Sequence, residues 1–189
     1  MKNTFFLILV TLFILTSCQE NKESLQKLPN YLEESHSYAQ PNDAVITHLD
    51  LDITVDFETQ VISGTATYDI ENSGSNQIIL DSKYLEIESV TQNGEQTEFE
   101  LGEFDESLGQ PLTIAIKEDT KQIAVTYSTT AKTEALQWLT AQQTADKTNP
   151  FLFTQGQAIL TRTWIPIQDS PQIRITYDAT VKVPQDLWR

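Results

Sequence analysis

The sequence predicts an all-β domain, an antiparallel β-sandwich or saddle-like sheet, over residues 42–189. Three observations carry this expectation. Apolar and polar residues alternate from Thr47 to Phe57 and again from Ile173 to Val183, the period-2 pattern of strands with one dry and one wet face. Turn-forming residues punctuate the short apolar runs between them. A helical pattern is confined to one short stretch, Glu134–Thr144. Many short strands, frequent turns and little helix belong to a sandwich or a curved sheet.

In the first strand Leu49, Leu51, Ile53, Val55 and Phe57 share one face, and His48, Asp50, Asp52, Thr54 and Asp56 the other. Gln60–Ile70 is the second, with Ile62, Ala66, Tyr68 and Ile70 in register. Gly64 interrupts it, which predicts a bulge or a close backbone approach. A turn at Asn72-Ser73-Gly74-Ser75 follows. Then come strands at Gln77–Leu80, Leu85–Thr91, Thr97–Leu101, Leu112–Ile116 and Gln122–Thr129. Asn93-Gly94 between two of them predicts a two-residue hairpin. In the last strand Ile173, Ile175, Tyr177, Ala179, Val181 and Val183 alternate, and Pro184 ends the pattern.

The N-terminus reads differently. Lys2 precedes an apolar run, Phe5–Ile14, too short for a mature membrane span of about twenty residues and right for the apolar region of a secretory signal. The run ends Leu15-Thr16-Ser17-Cys18. An aliphatic residue, two small residues and a cysteine resemble a bacterial lipobox. Residues 1–17 are therefore expected to be a lipoprotein signal peptide, with Cys18 the lipidated N-terminus. Two or three acyl chains anchor stably where one is marginal. Residues 18–41 are polar and read as a tether. Gln19 after the cysteine fits outer-membrane delivery, so the expected location is exported and membrane-anchored, on the periplasmic or surface side.

With 189 residues there is room for one domain with a sizeable core. Twelve Lys and Arg stand against 27 Asp and Glu, a net charge of −15. Nucleic acid is an unsuitable partner for such a surface, because phosphate neutralisation needs clustered cations. The sole cysteine excludes an intrachain disulfide. It equally excludes a zinc site built from four cysteines, or from two cysteines and two histidines. The two histidines, His36 and His48, form no His-Glu-x-x-His. No Gly-x-Ser-x-Gly elbow and no Gly-rich phosphate loop occurs. Neighbouring acids such as Glu86 and Glu88 are what a chain this acidic contains by chance. No residue is expected to be catalytic.

The stretch Ala135–Pro171, ALQWLTAQQTADKTNPFLFTQGQAILTRTWIPIQDSP, resembles the zinc aminopeptidases of the M1 type, most nearly leukotriene A4 hydrolase and its bacterial relatives. The carrying pieces are Ala135–Thr140, Pro150–Ala158 and Arg162–Pro171, with weaker similarity from Val45 to Pro184. The resemblance implies a saddle-like N-terminal domain packed on a thermolysin-like zinc domain. That second domain carries His-Glu-x-x-His, a downstream Glu and Gly-x-Met-Glu-Asn; neither motif is in this sequence. Zinc is thus expected in the complete enzyme and not on this chain. The expected partners are the C-terminal zinc peptidase domain, peptide substrates and a membrane. The resemblance also implies that Gln155, Gln157 and Ala158 line the substrate pocket, Gln157 on the substrate backbone or its carbonyl and Gln155 on the floor. Gly156 would let the backbone approach closely. Arg162 and Asp169 read as an ion pair fixing this loop. Trp138 and Trp164 read as core or interdomain packing. The competing reading is a non-catalytic, lipid-anchored β-sandwich that binds a partner. An epoxide hydrolase activity finds no residue to support it.

Overall fold

The computed structural model describes residues 30–187; the expected signal peptide and Cys18 lie outside them. Eleven strands follow in order: β1 (Ala44–Asp56), β2 (Val61–Asn72), β3 (Gln77–Ser82), β4 (Leu85–Gln92), β5 (Glu95–Gln96), β6 (Phe99–Leu101), β7 (Gln110–Ala115), β8 (Gln122–Thr129), β9 (Leu136–Leu139), β10 (Phe151–Thr154) and β11 (Thr176–Lys182). A six-stranded sheet has the order β11-β1-β2-β8-β4-β5, a three-stranded sheet the order β3-β7-β6, and β9 pairs with β10. The expected antiparallel all-β architecture is what forms. One pairing is parallel, β1 with β11.

The apolar faces foreseen for β1 and β2 make the core. Leu49, Leu51, Ile53, Ile62, Ala66 and Tyr68 join Ile78, Leu80, Leu112 and Ile114 of the three-stranded sheet in one buried cluster. The register of β1 on β2 shifts between Ile46 and His48. This bulge lets Ile46 and Leu49 both face inward although they are an odd number of positions, three, apart. Gly64 answers to the close-approach reading. A Cβ there would lie 2.1 Å from the Asp52 carbonyl oxygen, so no larger residue fits without moving β1. Asn93 and Gly94 both have positive φ, 46° and 83°, as a type I′ hairpin between β4 and β5 requires.

Two expectations are corrected. Glu134–Thr144 is not helical. Leu136–Leu139 forms β9, and a single 3-10 turn follows at Ala141–Gln143. The stretch is short, and pairing with β10 (Leu136 opposite Thr154, Leu139 opposite Phe151) outweighs its helical preference. The last strand is shorter than expected: Ile173, Ile175 and Val183 of the alternation pack against the core just outside it, and the strand itself has no dry face. All of Thr176–Lys182 is exposed, Tyr177 at 71%. Tyr177, Ala179 and Val181 sit beside Leu49, Leu51 and Ile53, but β11 is the sheet edge and the second layer does not reach over it.

The later part of the expected tether lies on the domain. Tyr31 and Asn42 exchange hydrogen bonds at 3.0 and 2.9 Å. Leu32 and Gln172 do the same at 3.0 and 3.2 Å.

Candidate substrate-facing loop

The β9–β10 hairpin and the turn that follows it present the residues singled out in the sequence. Gln155 N–H donates to the Ala135 carbonyl at 2.9 Å, extending the hairpin by one bond. Gln157 N–H donates to Gln155 Oε1 at 3.2 Å. The two glutamines are thus brought together, and both are exposed with Ala158. The Gln157–Ala158 peptide is cis. At Gly156 a Cβ would lie 2.6 Å from Thr161 Oγ1, so any larger residue requires that hydroxyl to move. Its carbonyl accepts from Leu160 N–H at 2.9 Å, which closes the loop.

Beneath the loop, the 3-10 turn Thr161–Thr163 is buried at Arg162 and Thr163. Thr163 Oγ1 accepts from Ala135 N–H at 3.1 Å and donates to the Leu160 carbonyl at 2.7 Å, tying hairpin to turn. The expected Arg162–Asp169 pair is present at 3.3 Å. Arg162 does more than this pair. Its Nη1 donates to the Leu108 carbonyl at 3.0 Å, and its Nη2 donates to the carbonyls of His36 at 2.7 Å and Asp169 at 3.1 Å. Nη2 also lies 3.5 Å from Asp81 Oδ2, with both side chains fully buried. Burial raises the Asp169 carboxyl above its ordinary pKa, while the Arg162 backbone N–H and guanidinium pull the other way.

The remainder of the loop is fixed from the sheets. Tyr68 Oη donates to the Pro166 carbonyl. Gln168, 2% exposed, takes Ile46 N–H on its amide oxygen and gives its amide to the Ala44 carbonyl, both at 3.0 Å, like an extra strand beside β1. Trp138 and Trp164 pack against the core, and Trp138 meets Phe57 edge-on at 5.4 Å.

Three features here carry little signal in the sequence. Nothing in QIILDS distinguishes Asp81, a buried acid, from an ordinary strand-end one. The alternation of β2 places Tyr68 in the core without naming its partner. Phe151 and Phe153 stand exposed just before the glutamines, rings 6.4 Å apart; their i, i+2 spacing is the available signal.

His48 sits on the wet face of β1, its Nδ1 2.7 Å from Thr176 Oγ1 and its Nε2 3.5 Å from Asp178. Among the described residues no three His, Cys, Asp or Glu side chains gather as a metal-ligand set. A cavity of about 370 Å³ lies between the N-terminal segment and Ser170–Ile173, lined in part by Leu32, Glu34, Ser37 and Gln172. The glutamines are not in it; both stand exposed on the surface.

Residues 45–188 match the model of the Peptidase M1 N-terminal domain. Leucine aminopeptidase 2 of Yarrowia lipolytica is 41% identical over 135 residues, 69% of this chain and 21% of that protein. Native leukotriene A4 hydrolase of Saccharomyces cerevisiae superimposes with a TM-score of 0.75 at 30% identity, over 84% of this chain and 26% of that one. An M1 zinc metallopeptidase of Deinococcus radiodurans shares the fold, with a TM-score of 0.57 at 19% identity, over 75% of this chain and 33% of that one. This chain therefore spans a third or less of each.

Proposed function

Given that the chain belongs to the Peptidase M1 N-terminal domain family, we propose that it is the substrate-positioning front domain of a membrane-anchored zinc aminopeptidase that removes N-terminal residues from peptides. The observation that carries this is the loop itself. Gln155 and Gln157 are exposed, hydrogen-bonded to one another, and seated on a buried polar foundation within the matched span. A glutamine amide offers a donor and an acceptor to a peptide backbone and adds no charge to compete with a metal. Gln157 is assigned to the substrate backbone. Gln155 is assigned to the pocket floor, and Ala158 to the adjoining wall.

The zinc and its chemistry belong, on this reading, to a further C-terminal domain. The exposed Phe151 and Phe153, their rings 6.4 Å apart, support such a domain, because adjoining exposed apolar side chains mark a surface that another domain covers. Cys18 would carry the lipid, placing the enzyme outside the cytoplasm, at the outer membrane.

Steady-state kinetics of the complete enzyme test the assignment. Gln157→Ala should raise KM for a short peptide substrate about 3–10-fold, the worth of one neutral hydrogen bond. Unchanged KM and kcat in a folded Gln157→Ala enzyme would remove Gln157 from the substrate site.

A further inference from the structure

The N-terminal segment 36–38 and the loop bearing Gln155, Gln157 and Ala158 are far apart in sequence, yet they meet on one carboxylate. Asp81, at the end of β3, is fully buried. From the N-terminal side its Oδ2 accepts Ser37 Oγ at 2.6 Å and its Oδ1 accepts Tyr38 N–H at 2.7 Å. From the loop side its Oδ2 accepts Asp169 N–H at 2.9 Å and lies 3.5 Å from Arg162 Nη2. The Asp81 backbone adds a two-way bridge to Ile167, at 2.8 and 3.1 Å. Two residues on, Lys83 N–H donates to the Arg162 carbonyl at 2.9 Å. Arg162 closes the circuit by donating to the His36 carbonyl.

We infer that Asp81 is a positioning residue and segment 36–38 its strap, together holding the 155–169 loop in one conformation. A buried carboxylate needs its donors, since an ion left unpaired in the interior is costly. Three of the groups facing Asp81 are donors delivered by two segments far apart in sequence, Ser37 and Tyr38 from one and Asp169 from the other. Loss of the strap leaves Asp81 short of donors on one side. Asp81 and Arg162 then readjust, and Arg162 is part of the turn under Gly156 and Leu160. That this steadiness serves peptide binding rests on the function proposed above; the coupling itself does not.

Hydrogen exchange on the full 189-residue chain tests the coupling without any substrate. Ser37→Ala removes the bond to Asp81 and the one that the hydroxyl accepts from Ala39 N–H within the strap, and it touches neither the loop nor Arg162. It should speed exchange at the amides of Gln155, Leu160, Arg162 and Thr163 about tenfold, the effect of losing one hydrogen bond to a charged group. The β2 and β8 amides around Ala66 and Val125 should stay as they were. Ser37→Thr, which keeps the hydroxyl, should restore the loop. Asp81→Asn should act on the same amides more strongly, and if that variant fails to fold the Ser37 pair still decides. Faster exchange confined to residues 37–39, or an even rise across β2 and β8, would overturn the inference. Loop coupling found together with an unaffected Gln157→Ala enzyme would keep the inference and discard the substrate role.

Discussion

Arg162 gives Asp169 both its backbone N–H and its Nε, at 3.1 and 3.3 Å to the same Oδ2, and the two side chains are almost wholly out of water. The guanidinium faces Asp81 as well. One cation thus serves two carboxylates and three carbonyls in a space where none of them could be left unpaired.

Replacing that cation should be severe. Arg162→Leu leaves Asp81 and Asp169 without their counter-charge, at a cost of about 3–5 kcal/mol. Arg162→Lys should recover only part of the loss, because an ammonium cannot reach separated carbonyls with a planar fork. Urea unfolding of the two variants against the parent measures both.

Asp169 should leave a mark on the pH dependence of stability. Its folded-state carboxyl titrates above the ordinary 3.8, with burial as the cause. In the window between 3.8 and that raised value the folded state holds the proton that the unfolded chain has released. Stability from this group is therefore full below the window and falls as pH rises through it. Asp169→Asn should abolish that downward step. Urea midpoints of parent and variant from about pH 3 to 7, compared as a difference, isolate it from the other carboxyls.

The two buried core tyrosines should respond oppositely to loss of their hydroxyls. Tyr68 Oη donates to the Pro166 carbonyl, whereas Tyr127 Oη makes no hydrogen bond among the described residues. Tyr68→Phe strands a buried carbonyl and should cost about 1–3 kcal/mol. Tyr127→Phe removes an unpaired buried hydroxyl and should change stability by less than about 0.5 kcal/mol, or raise it. Thermal unfolding of both distinguishes them.

Cys18→Ser should abolish anchoring. In cells fed a labelled fatty acid the parent chain should take up label and sediment with membranes. The variant should do neither. Equal labelling of both would refute lipidation at Cys18.

The strand pattern was legible because burial in a sheet repeats every two residues, so Leu49 to Val55 announce their own face. Gly64 and Asn93-Gly94 were legible because each backbone demand admits few residues. The β9–β10 hairpin was not, since four-residue strands carry too few repeats to outweigh a weak helical pattern. The Gln155–Ala158 loop stands out through resemblance; its polar types alone look like any surface turn.

The sequence by itself determined the sheet content, the dry faces of β1 and β2 and the acidic surface. Only the tertiary structure decided that Asp81, His36 and Leu108 all converge on Arg162, and that β11 adds in parallel at an uncovered edge. The reason is one of range. Alternation and turn chemistry act between neighbours and are written in local order. The partners of a buried charge are brought to it by the packing of distant segments, and no short stretch of sequence records which they will be.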